Sequence, residues 1–189
     1  MPISQINDIY IMKALQSILF LFAMTSFTHA QDINLSEWQT KWDNSKTYLF
    51  ELVDLCDTLD LDYSPTPDQM SLRAQLTHIA GNMYFLSNRF LEYKPEEFDR
   101  DATLNLLNSD TLNHSEIKAE LTKAFTFVEE AVQNVPEGDW ATEVQFFVGP
   151  RTKRVIAWLL QDHVTHHRGQ LIVYLRLLGL KELPRYRGW

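Results

Sequence analysis

Apolar positions along this chain recur at three- and four-residue steps in four stretches, and that period is the helical one. The first stretch begins near Ser36, whose spacing to Gln39 fits a capping box, and carries Trp38, Trp42, Leu49, Leu52 and Leu55. Two prolines in Tyr63-Ser64-Pro65-Thr66-Pro67-Asp68 predict a loop after it. A second helix is expected from about Ser71, with Leu72, Leu76, Ile79, Met83, Leu86 and Phe90 on one stripe. A longer connection containing Pro95 and Asn108 leads to a third helix, from Ser115 to Gln133, with Ile117, Leu121, Ala124, Phe125 and Val128 inside. Pro136-Glu137-Gly138-Asp139 closes it. Val144–Pro150 reads either as a short extended segment or as a packed loop. The fourth helix runs from about Thr152 to Leu178, with Gly179 suited to its C-terminal cap. Four such helices predict an all-α fold, a four-helix bundle of up-and-down or crossover connectivity.

The inner stripe of the fourth helix is Ile156, Leu160, His163, His167, Leu171, Tyr174 and Leu178, so two histidines interrupt an apolar face. They belong to Asp162-His163-Val164-Thr165-His166-His167-Arg168-Gly169-Gln170, which holds three of the six histidines. On a helix, His163 and His167 are ~40° apart around the axis and ~6 Å apart along it. Two imidazoles placed side by side can share a metal ion. A third ligand must come from elsewhere, and His78, beside the apolar stripe of the second helix, is the best placed. His114 sits at a loop-to-helix boundary, and His29 lies near the beginning of the chain. Three neutral imidazoles with open positions suit Zn(II), Ni(II) or a similar divalent ion. The competing reading is a pair of core histidines satisfied by hydrogen bonds, since burying both without partners costs ~1–3 kcal/mol each.

The neighbours are less specific. His166 lies ~60° to the other side of His163, poorly placed to join the same ion, which leaves proton transfer or an exposed helix position. Arg168 fits an anionic substrate or a surface ion pair with an acid, and the pair is favoured. Gly169 inside a helix costs ~1 kcal/mol relative to Ala, which suggests close backbone packing. Gln170 can orient a ligand through its amide or simply pack. Asp162 and His166 are the nearest candidates for a general base.

The beginning of the chain differs from the rest. Lys13 precedes the apolar run Ile18–Met24, followed by Thr25-Ser26-Phe27-Thr28-His29-Ala30, so residues 1–30 read as a secretory signal peptide cleaved after Ala30. Met12 is an alternative start, since residues 1–11 add Asp8 and no positive charge. The apolar run falls well short of the ~20 residues that a span requires, so no stable membrane anchor is expected. A domain of residues 31–189 would then be periplasmic or secreted. Removing one acid (Asp8) and one base (Lys13) leaves the net charge at -8. An acidic body is poorly suited to phosphate backbones, so no nucleic-acid partner is expected. Arg151, Lys153 and Arg154 form a small basic cluster that reads as a solvated helix start. Cys56, the only cysteine, sits in an apolar pattern and reads as a buried, inert thiol.

Several familiar sites are absent: no His-Glu-x-x-His, no Glu-x-x-His pair, no Cys-x-x-Cys-His, no phosphate loop and no Gly-x-Ser-x-Gly elbow. Instead, Ser71-Leu72-Arg73-Ala74-Gln75-Leu76-Thr77-His78, the run His163–Gln170 and Tyr174-Leu175-Arg176-Leu177-Leu178-Gly179 together resemble the DinB-like family. The proline loop ahead of Ser71 and Gly149 ahead of the last helix also fit, and the resemblance spans roughly residues 36–180. It implies a four-helix bundle with His78, His163 and His167 as metal ligands. It also implies kinship with thiol-dependent transferases and metal-dependent hydrolases; the family name does not imply DNA binding, in agreement with the acidic charge. Export argues against a cytosolic thiol as co-substrate. The expected function is a metal-dependent hydrolase or transferase acting on a small molecule. The alternatives are a non-catalytic metal- or ligand-binding bundle, or a metal-free bundle whose helices form a homodimer surface.

Overall fold

The structure, a computed structural model, describes residues 33–186. Residues 1–30, where the signal peptide is expected, lie outside the described residues. Five α-helices are present among them: α1 (Leu35–Asp54), α2 (Leu72–Phe90), α3 (Arg100–Leu107), α4 (His114–Gln133) and α5 (Lys153–Leu177). A 3-10 turn (Asp139–Ala141) and a two-stranded antiparallel hairpin, β1 (Glu143–Phe146) and β2 (Gly149–Thr152), precede α5.

The starts of the helices follow from their capping side chains. Ser71 accepts a hydrogen bond from the Ala74 N–H at 3.1 Å, and Thr152 accepts one from the Val155 N–H at 3.4 Å. Asn113 and Glu116 close a full capping box at α4. The expected box at Ser36 is not the cap of α1. Asn34 takes that role, accepting from the Glu37 N–H at 3.2 Å, and Ser36 merely donates to the Asn34 side chain. At the other end of α5, Gly179 takes the left-handed conformation (φ 92°) that terminates a helix at low cost.

Four of the helices form the core. α1 packs against α4 and α5, and α2 packs against the same two, so the principal contacts run α1–α4–α2–α5 around a ring. Helices consecutive in the bundle, α1 with α2 and α4 with α5, therefore lie across its diagonal. Of the two connectivities left open by the sequence, this is the crossover one. The long segments 55–71 and 134–152 are what let the chain cross. Trp38 stacks on Trp42 with ring centroids 5.2 Å apart, and Trp42 meets Phe125 of α4 at 4.9 Å. The Trp38 indole donates to the Ala157 carbonyl at 3.0 Å, and the Gln161 amide donates to the Trp38 carbonyl at 2.8 Å, pinning α1 to α5.

Two expectations change here. The connection containing Pro95 holds a helix, α3, capped by Asp99 and contributing only Leu107 to the buried set. Lys153 is not part of a solvated basic cluster. It is 4% exposed and paired with Glu92 at 2.8 Å and Asp139 at 3.1 Å, which ties the start of α5 to the end of α2 and to the 3-10 turn. Burial pulls its pKa down, but those two carboxylates outweigh burial and leave it raised. No helix among the described residues is long and apolar enough to cross a membrane.

Candidate metal centre

The cap at Ser71 fixes the phase of α2, and Gln75 and His78 then lie one turn apart on the side that meets α5. From α5, His163 and His167 face them. The three rings converge: His78 to His163 at 5.0 Å between centroids, His78 to His167 at 4.6 Å, and His163 to His167 at 4.4 Å. One ring nitrogen from each lies within 4.8 Å of the others, an arrangement that could hold a metal ion. The Nε2 atoms of His78 and His163 are 3.2 Å apart. Two imidazoles on one tetrahedral ion, with bonds of ~2.0–2.1 Å, would hold their nitrogens roughly 3.4 Å apart, so the donor set fits a divalent ion without large rearrangement.

Electrostatics favours neutral rings, the protonation state that ligation requires. Burial, reinforced by the other histidines, brings His163 down to about 3. His167 comes down to about 4 for the same reasons, and His78 is lowered as well, chiefly by burial. His163 Nδ1 is buried, with no hydrogen-bond partner among the described residues. Placing its proton there costs ~1–3 kcal/mol. That is small beside the ~10–16 kcal/mol that structural zinc sites release in small peptides.

His167 is held from behind. Its Nδ1–H donates to Gln75 Oε1 at 2.7 Å, which leaves Nε2 as its free nitrogen. Gln75 donates to Gln170 Oε1 at 2.6 Å, and Gln170 donates to His166 Nε2 at 2.7 Å. Gln75 is a residue that the sequence did not single out. Its signal was its position, one turn before His78 on the same helix face.

The remaining candidates are sorted by burial. His166 is exposed, with its ring 4.9 Å from His167, and Asp162 is exposed too. His114 stands apart from the cluster: it bonds to the Val53 carbonyl at 2.8 Å and to Asp57 at 3.1 Å, joining α4 to the end of α1. Arg168 is not a surface residue paired with an acid. It is 4% exposed, donates to the Ser45 hydroxyl at 2.9 Å and lies over the Tyr48 ring at 4.9 Å, with no carboxylate partner among the described residues. Gly169 is exposed, and a Cβ there would meet nothing within 4 Å, so close backbone packing is not its reason. Cys56 is buried, and burial pushes its thiol up to about 12, in keeping with an inert residue.

The DinB family model matches residues 24–189, nearly the whole chain. The chain belongs to the DinB family. Its structure is similar to the crystal structure of a DinB-like protein, YjoA, from Bacillus subtilis. The TM-score is 0.62 at 19% sequence identity, covering 81% of this chain and 99% of that one. At that identity the likeness concerns the fold. No curated protein matches the chain. The DinB assignment agrees with the mainly helical architecture, to which the small hairpin is an addition.

Proposed function

We propose that this DinB-family protein binds a divalent metal ion, zinc or nickel, through His78, His163 and His167. In the same reading it is exported after loss of residues 1–30, and it converts a small molecule as a hydrolase or transferase. The observation that carries the metal reading is the convergence of three neutral imidazoles from two helices. A bound ion with an open position supplies Lewis acidity and water of pKa near ~7. The chain supplies the rest. Gln75 orients His167, while the apolar stripe around the histidines limits water behind the site. His166 and Asp162, both exposed on α5, are the nearest groups able to accept a proton from outside.

A second reading, metal or ligand binding without turnover, has its own support: the cluster contains histidines alone, with no carboxylate among the grouped residues. Titration of zinc and nickel into tag-free protein tests the common claim, with one ion per chain expected and binding lost in His167→Ala. Cobalt substitution separates the two readings. An absorption spectrum that shifts on adding azide or a small thiol indicates an open position and supports an enzyme; an unresponsive spectrum supports the binding module. Export is tested by fractionating cells that express the full chain, with a mature protein beginning at Gln31 expected outside the cytoplasm.

A further inference from the structure

We propose that Gln75 and Tyr174 are positioning residues that set the tautomer of His167, and that the amide chain through Gln170 ties His166 to the same tautomer. The inference deepens the metal reading above and rests on it for its functional meaning.

The hydrogen-bond chain His167–Gln75–Gln170–His166 can run in two directions. With the amide nitrogens and oxygens where they stand, the chain runs from His167 towards His166: Gln75 Oε1 requires an Nδ1–H on His167, the Gln75 amide donates to Gln170 Oε1, and the Gln170 amide donates to His166 Nε2. Turning both amides over would reverse it. His166 would then carry its proton on Nε2 and donate to Gln170, Gln170 would donate to Gln75, and Gln75 would donate to a bare His167 Nδ1. That leaves the His167 proton on Nε2, the nitrogen facing His78 and His163. Only the first direction offers the ion a lone pair.

Tyr174 chooses between them. Its hydroxyl proton is committed to the Met70 carbonyl at 2.9 Å, a backbone acceptor that cannot turn. Towards Gln75 it therefore presents a lone pair, with the Gln75 amide nitrogen at 3.4 Å. That bond is long and weak, but the reversed chain would put two acceptors against each other. Gln75 is 2% exposed, so its amide has no access to bulk water and must satisfy its partners where it stands. One backbone carbonyl, acting through Tyr174, thus biases a chain of four side chains in favour of a His167 ready to ligate. The chain also reaches an exposed residue, since His166 must hold its proton on Nδ1 whenever His167 does.

The test is long-range proton–nitrogen correlation NMR on the histidine rings of the protein, metal-free and zinc-loaded, at a pH where the rings are neutral. In the metal-free parent, His167 and His166 should both be protonated on Nδ1. Tyr174→Phe should show a second tautomer at both residues together, with the helical circular dichroism retained. Gln75→Leu should release His167 and weaken zinc binding about 10–100-fold. Gln170→Leu, at a half-exposed position, should release His166 while His167 keeps its tautomer. A metal-free parent with His167 protonated on Nε2, or an unchanged His167 spectrum in both Gln75→Leu and Tyr174→Phe, overturns the proposal. If the tautomers are as stated but zinc does not bind, the metal reading fails alone. If zinc binds with the tautomers otherwise, the positioning chain fails alone.

Discussion

His163 and His167 differ from free histidines chiefly in their surroundings, and this has a consequence for stability. Both have folded-state pKa values held far below 6.5, near 3 and near 4. As the pH falls below about 6.5, the unfolded chain takes up protons at these rings before the folded chain does. Their contribution is therefore fully present above pH 6.5 and is lost as the pH falls towards 4 and then 3. In chelator, the urea midpoint should drop between pH 7.5 and pH 5, and His163→Leu should flatten that dependence. This pair was legible in the sequence because two histidines at a four-residue step within an apolar stripe leave few innocent explanations. Arg168 was not. Its burial depends on Ser45 and Tyr48 arriving from α1, a contact that the local pattern of α5 does not encode. The same holds for Gln75, whose partners stand on another helix.

At the scale of the element, the capping residues carried much of what could be read. Ser71, Thr152 and Gly179 each sit where their chemistry placed them. α3 escaped because eight residues give barely two turns, too few to show a period, and only Leu107 is buried. Gly169 misled in the other direction. With open space where a Cβ would go, Gly169→Ala should stabilise the protein by about 0.5–1 kcal/mol, read as a raised urea midpoint at unchanged slope. Lys153 gives the opposite case. Replacing both carboxylates, Glu92→Gln with Asp139→Asn, strands a buried ammonium and should cost about 3 kcal/mol. Lys153→Met should cost less than that, because the acids it leaves behind are exposed and the new side chain fills the same space.

For the whole molecule, the apolar stripes predicted a bundle but could not choose its connectivity, since every pairing of four amphipathic helices buries the same faces. The ring α1–α4–α2–α5 settles that choice and makes α2 and α5 neighbours, the one requirement of a site that draws on both. A metal that cross-links two neighbouring helices binds the folded state alone. At a free concentration of 100 times its Kd it should therefore add about 2.7 kcal/mol. For a domain of this size that is a rise of roughly 5–10 °C in Tm between chelator and zinc. His78→Ala, although on a different helix from His163, should abolish the rise as completely as His163→Ala does. The most direct check on the central claim is metal content by mass spectrometry of tag-free protein, alongside His78→Ala and His163→Ala. Near-stoichiometric zinc or nickel in the parent, absent from both variants, is the predicted result. A parent that remains metal-free after reconstitution with both ions would contradict it, leaving one buried and two half-buried histidines that serve only the packing of α2 against α5.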